Sequence, residues 1–201
     1  MSHHEHALQS KKVAILVADG FEQVEMTEPR RFLEQADAET VLISPNKKEV
    51  KAWNESDWGE TFKVDLPLGQ AHAEEFDALL LPGGVMNPDK LRMNPDAVHF
   101  VKAFFLAGKP VAAICHGPWI LIDAGVVKDR ALTSYPSMKA DLANASAKWM
   151  DQEVVVDNGL VTSRRPSDLP AFNEAMVQAF TQGYYDLQKP MEAFEPVAAP
   201  R

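Results

Sequence analysis

Short, unbroken apolar runs alternate along this chain with stretches whose apolar residues recur at helical spacing. Residues 13–18 (VAILVA), 77–81 (DALLL) and 110–114 (PVAAI) are too short for helices and suit strands buried on both faces. Residues 40–43 read as a further strand, closed by Ser44-Pro45-Asn46. Between the strands, residues 22–36 read as a helix in which Pro29 predicts a kink or a late start. Residues 95–106 form a helix whose apolar face carries Val98, Val101, Phe104 and Phe105, with Gly108 placed to end it. A helical turn is expected at 70–75, a short strand at 131–134, and further helices at 118–124, 137–145 and 169–180. Two segments break the alternation. Residues 47–64, with Trp53 and Trp58 around the polar Asn54-Glu55-Ser56-Asp57, suggest a small antiparallel excursion. Residues 153–156 and 160–163, joined across Asp157-Asn158-Gly159, read as a hairpin.

Strands and helices at this spacing imply an α/β fold: a doubly wound, mostly parallel sheet with helices on both faces. In such folds working groups gather at the carboxyl ends of the strands. Here those ends are Asp19-Gly20, Pro82-Gly83-Gly84 and Cys115-His116-Gly117.

Composition narrows the chemistry. The 201 residues fit one generous domain, and a net charge of −9 argues against nucleic-acid or anionic-membrane partners, which need a basic face. A single cysteine excludes an intramolecular disulfide, and no apolar run approaches membrane-spanning length or forms a secretion signal in the first ten residues. A cytoplasmic location is expected. His3, His4 and His6 read as a solvated terminus that picks up metal adventitiously. No His/Cys/Asp/Glu set has metal-ligand spacing and no glycine-rich phosphate loop follows the first strand, so neither metal nor cofactor is expected.

The turn at Cys115 carries the chemical interest. A strand, a nucleophile, a glycine (Gly117) and a helix describe a nucleophile elbow, in which the tight turn lifts the side chain above the sheet. A helix amino terminus and the adjacent His116 imidazole would both favour a thiolate. Gly83 and Gly84 can bring bare backbone amides to the spot where an oxyanion forms. On spacing alone, a reactive thiol and an inert buried thiol remain equally open. Tyr135 lines the pocket or packs, and His72 and His99 read as surface residues.

The stretch AAICHGPWIL resembles the PfpI-type intracellular protease and deglycase family, within the glutamine-amidotransferase-like superfamily. DGFEQVE, EEFDALLLPGG, LTSYPSMKADLANA and DQEVVVDNGLVTSRRPSDLPAF extend the resemblance, in order, from Val13 to Phe180. It implies a flavodoxin-like, glutamine amidotransferase-like domain over 10–184, with a mobile tail at 1–9 and a Pro/Ala-rich tail at 185–201. It also implies that Cys115 is the nucleophile, His116 its partner, and Glu25, rather than Glu22, the acid beside the sulfur. A carboxylate that the family uses across a subunit interface falls on Asp89, one methylene shorter than the usual Glu and displaced by one residue; a helix-capping role for Asp89 is the alternative. At least a homodimer follows, with the site near the subunit boundary.

The implied function is a cysteine-dependent hydrolase or lyase acting on small carbonyl or acyl compounds: an intracellular peptidase, a glutathione-independent glyoxalase or a deglycase, in stress protection. The alternative is a non-catalytic redox sensor that uses oxidation of Cys115. A glutamine amidotransferase reading fails, because that chemistry needs a histidine far downstream of the cysteine and His116 is the last one in the chain.

Overall fold

A computed structural model describes residues 6–185. In chain order its elements are β1 (Lys12–Leu16), α1 (Gln23–Gln35), β2 (Glu39–Ser44), β3 (Glu49–Asn54), β4 (Asp57–Lys63), β5 (Leu66–Pro67), β6 (Ala78–Leu81), α2 (Met86–Arg92), α3 (Pro95–Leu106), β7 (Val111–Ile114), α4 (Trp119–Asp123), β8 (Ala131–Leu132), α5 (Lys139–Asn144), β9 (Lys148–Trp149), β10 (Val154–Asp157), β11 (Leu160–Ser163) and α6 (Leu169–Gln182). Seven strands form one sheet in the order β10-β11-β7-β6-β1-β2-β5, parallel except for β10, which pairs antiparallel with β11. The fold is the flavodoxin-like, doubly wound arrangement expected.

The centre of the sheet is buried on both faces because β6 and β7, and β1 after Lys12, are apolar at every position, and alternate side chains go opposite ways. Ala14, Leu16, Leu79, Leu81, Val111 and Ala113 join one core with Val101, Phe104 and Phe105 of α3. Val13, Ile15, Leu80, Ala112 and Ile114 join the other, with Met26 and Leu33 of α1 and Phe172, Met176 and Phe180 of α6. The spacing of the α6 residues is that of one helical face. α3 spans the residues its periodicity predicts, and Asn94 caps it by accepting from the N–H groups of Asp96 and Ala97.

Several details differ from the sequence reading. α1 starts at Gln23, so Pro29 lies inside the helix rather than near its start. The helix expected at 137–145 is a 3₁₀ turn (Pro136–Met138) followed by α5, and the turn at 70–75 is two 3₁₀ turns. α2 went unpredicted. The tail expected to be mobile through residue 9 is anchored from its second half: Leu8 is fully buried and its N–H donates to the Ala36 carbonyl. His3, His4 and the C-terminal tail beyond Tyr185 lie outside the described residues.

β7, β6 and β1 are neighbours, so the loops at their carboxyl ends converge. The β3–β4 hairpin lies across the first of these loops. Gly20 N–H donates to Lys51 O, Trp53 N–H to Phe21 O, and Glu55 N–H to the Glu22 carboxylate.

Candidate active site

Cys115 follows β7 directly and has φ +60, a left-handed conformation that costs a non-glycine residue roughly 1–3 kcal/mol. Two backbone bonds hold it there: its N–H donates to Ser163 O at 3.0 Å, and its carbonyl accepts from Tyr135 N–H at 2.9 Å. Gly117 must be glycine, because a Cβ there would stand 2.5 Å from the Leu81 carbonyl. The elbow is therefore a strained turn clamped between β11 and the loop after β8, with the thiol 7% exposed.

The structure brings Glu25, on the first turn of α1, to this thiol. Its side chain is fully buried, Oε2 accepts the Gly83 N–H at 2.9 Å, and Oε1 has no hydrogen-bond partner. Burial, with a smaller contribution from Glu22, raises the Glu25 pKa to about 8, against hydrogen bonds from Cys115, Gly83 and Gly84 that lower it. At neutral pH the acid keeps its proton and can offer an O–H to the sulfur. Glu22 sits apart: half-buried, it accepts from Glu55 N–H at 3.2 Å, and desolvation raises its pKa.

Burial also pushes the Cys115 thiol up, an ionised Glu25 pushes it further, and the backbone N–H groups of Gly84 and His116 pull the other way. The expected helix-terminus contribution is small. α4 has only five residues and begins four positions beyond Cys115. Nor does His116 supply a resident positive charge, since burial lowers its pKa. Its Nδ1 lies 3.2 Å from Cys115 Sγ and its Nε2 3.1 Å from Ser137 Oγ. Tyr135, exposed rather than packed in the core, stacks on the imidazole with centroids 4.8 Å apart.

The two glycines of the facing turn have different duties. The Gly83 N–H is already committed to Glu25, so the amides left for an oxyanion are those of Gly84 and His116. Gly83 packs so closely that an added Cβ would lie 2.6 Å from Cys115 Cβ and 2.5 Å from Glu25 Oε2. Gly84 has φ +76 and faces the Gly20 carbonyl. Sequence reasoning missed Asn87. Fully buried on α2, it accepts from Ala18 N–H at 2.7 Å and donates to the Pro82 and Gly83 carbonyls at 2.9 and 3.0 Å. It thereby fixes the Gly83 carbonyl, and the planar peptide turns the Gly84 N–H to the opposite side, toward the sulfur.

Asp89 stays on the exposed face of α2, and among the described residues nothing hydrogen-bonds its carboxylate. The chain by itself does not bring it to His116. No group of metal-ligating side chains occurs among the described residues. An open cleft of about 430 Å³ lies away from these residues, lined by Pro45, Lys47, Leu68, Gln70, Asn94 and Asp96 among others.

The arrangement offers a strained nucleophile, a neutral imidazole in contact with it, a protonated acid beside it and amide donors aimed at it. The sequence profile of the DJ-1/PfpI family matches residues 11–179. The chain is 46% identical over 83% of its length to Deglycase PYRAB04690 of Pyrococcus abyssi, covering 98% of that protein, 42% identical to Deglycase PfpI of Pyrococcus furiosus with the same coverage of both chains, and 46% identical over 82% of its length to Putative cysteine protease YraA of Bacillus subtilis, covering 95% of that protein. The crystal structure of Drosophila melanogaster DJ-1beta superposes with a TM-score of 0.78 at 28% identity, covering 86% of this chain and 91% of that one. The chain belongs to the DJ-1/PfpI family.

Proposed function

We propose that the chain is a cysteine-dependent enzyme of PfpI type, acting on small carbonyl or acyl compounds, with deglycation of adducted amines as its first candidate reaction. The carrying observation is the clamped, left-handed Cys115 with His116 Nδ1 at 3.2 Å and Glu25 buried beside it. Four relatives at 42–46% identity are named deglycases and one at 46%, YraA of Bacillus subtilis, is named a putative cysteine protease, so deglycation is the first reaction to test and peptide hydrolysis the second.

In this reading the thiol proton passes to His116 Nδ1 and the sulfur electron pair attacks the electrophilic carbon. The carbonyl electron pair moves to oxygen, where the Gly84 and His116 N–H groups meet it. As the carbonyl re-forms, His116 returns the proton to the departing amine or alcohol, leaving an acyl thioester on Cys115; water, giving a proton to His116, then adds to that thioester, the carboxylic acid departs and the sulfur takes the proton back. Protonated Glu25 steadies the sulfur throughout by donating to it. We place the enzyme in the cytoplasm, in stress protection, as at least a homodimer in which Asp89 approaches a neighbouring subunit. Among the described residues no helix is long and apolar enough to cross a membrane.

The test is turnover of glycated amines, methylglyoxal and peptide amides by the native chain beside Cys115→Ser, with light scattering on the active species. Turnover of at least one substrate, abolished in Cys115→Ser, is expected from a dimer or larger assembly. Undiminished turnover in Cys115→Ser refutes the cysteine mechanism, and an active monomer refutes the assembly.

A further inference from the structure

Glu25 is the third residue of α1, and the local sequence does little to hold that turn. Glu22, at the N-cap position, makes no side-chain cap, and Pro29 has no N–H to give the Glu25 carbonyl. A helix start that is uncapped and interrupted within one turn frays unless tertiary contacts fix it. On its inner side, Glu22 N–H donates to the Gly83 carbonyl at 3.3 Å. On its outer side the contacts come from the β3–β4 hairpin. Gln23 Oε1 accepts from Glu60 N–H at 2.8 Å, and Gln23 Nε2 donates to Glu60 Oε1 at 3.0 Å. One amide thus grips a residue of β4 by both its backbone and its side chain. Gly59 leaves the room for this clasp, since a Cβ there would collide with Gln23 Oε1. The other contacts fall before the helix: Gly20 N–H to Lys51 O, Lys51 N–H to Asp19 Oδ1, Trp53 N–H to Phe21 O, and the Phe62 ring on Phe21. The Glu22 carboxylate reaches only the hairpin's turn, at Glu55.

We propose that Gln23 is a positioning residue for the thiol: by clasping Glu60 of β4 it fixes the first turn of α1, and through that turn it holds Glu25 against Cys115. This rests on the cysteine chemistry proposed above, in which a protonated Glu25 donates to the sulfur. Gln23 never touches the sulfur and acts through the acid. Loosening the turn works against the thiolate in two ways. The O–H offered to the sulfur is lost, and water reaching the carboxyl lowers its pKa from about 8, which puts an anion where a neutral acid stood. The titratable groups that face Glu25 are Cys115, with His116 in contact with the sulfur, and Glu22, with Glu55 behind it. Gly83 and Gly84 face it with backbone N–H groups. Gln23 is uncharged, so removing its side chain changes the position of the acid without changing the charge around it.

Gln23 is half-buried, Glu60 is exposed, and neither belongs to the apolar cores. The experiment follows the pH profile of Cys115 alkylation, and urea unfolding at pH 5 and 8, in the native chain, Gln23→Ala, Gly59→Ala and the double variant. In Gln23→Ala, alkylation at neutral pH should slow about 3- to 10-fold, the rate equivalent of one neutral hydrogen bond. The stability lost between pH 5 and pH 8 should also shrink, because a less buried acid is raised less. Gly59→Ala wedges the clasp open and should slow alkylation at least as much. Gly59 is not in the left-handed region, so the backbone itself accepts alanine there. In the double variant Gly59→Ala should add nothing further to Gln23→Ala, because the atom it strikes is gone. A native alkylation profile in Gln23→Ala, with stability lowered equally at both pH values, would make the clasp merely structural and overturn the proposal. So would a Gly59→Ala effect that persists undiminished in the double variant. Neither readout needs a substrate. Full turnover in Cys115→Ser would end the enzymatic reading, while the alkylation profiles would still decide the role of Gln23.

Discussion

Replacing Glu25 with Gln should flatten the dependence of stability on pH. Gln is nearly isosteric with a protonated Glu, keeps an oxygen for the Gly83 N–H, and cannot ionise. In the native fold the Glu25 pKa is raised from 4.5 to about 8, chiefly by burial. A carboxyl raised on folding stabilises the fold fully below its unfolded value. That contribution is lost as pH rises toward the folded value, because the unfolded chain releases its proton first. Each pH unit in this window is worth about 1.4 kcal/mol, so the native chain should lose on the order of 5 kcal/mol relative to Glu25→Gln between pH 4.5 and 8. That is a large part of the 5–15 kcal/mol typical of a domain this size. Urea unfolding of both proteins at pH 5, 6, 7 and 8 measures it. The two should nearly coincide at pH 5 and diverge steadily, with Glu25→Gln the more stable at pH 8. Parallel curves across the window would mean that Glu25 is not a buried neutral acid, and the account of the sulfur's partner would fall with it.

Glu25→Ala should shift the pH profile of Cys115 alkylation, whereas Glu22→Ala, whose carboxylate meets the hairpin at Glu55, should leave it nearly unchanged; a larger shift from Glu22→Ala reverses the assignment. Asn87→Asp puts an oxygen where a donor now meets two carbonyls. It should raise the apparent Cys115 pKa and, from the buried groups left unpaired, cost about 1–3 kcal/mol. Unaltered thiol titration in a folded Asn87→Asp variant would detach Asn87 from the Gly84 amide. Gly83→Ala, with a Cβ forced within 2.7 Å of the Ile114 carbonyl, Cys115 Cβ and the Glu25 carboxyl, should abolish turnover even where the protein still folds; retained activity would contradict the packing of the turn.

The frame of this protein is written in local pattern. Parallel strands covered on both sides must be apolar throughout, so runs such as VAILVA announce themselves, and α3 has both its cap and its periodicity in sequence. What escaped detection is too short or too composite to carry a period: α2 has seven residues with Pro88 inside, and β5 and β9 have two residues each. Leu8 escaped for a similar reason, as one apolar residue among polar ones has no neighbours to form a pattern with, although its burial closes the core against α1.

The chemistry divides along a different line. Which residues face one another followed from fold class, because β7, β6 and β1 are adjacent and their terminal loops had to meet. Which polar atoms remain free did not follow, since that depends on partners far away in the chain. Asn87 reaches Ala18 across 69 positions, Glu25 reaches Gly83 across 58, and Ser137 reaches His116 across 21. These bonds reassign the groups that sequence reasoning had pooled: one glycine amide goes to the acid, the next is shared by the acid and the sulfur, and the imidazole's second nitrogen meets a hydroxyl of its own chain. They also account for the opposing pulls on Cys115. The same burial that raises its pKa keeps Glu25 protonated, and a protonated acid is the one form of that side chain that can sit against a thiolate without repelling it. The titration of the thiol is therefore coupled to that of Glu25, and neither residue's own surroundings are enough to predict it.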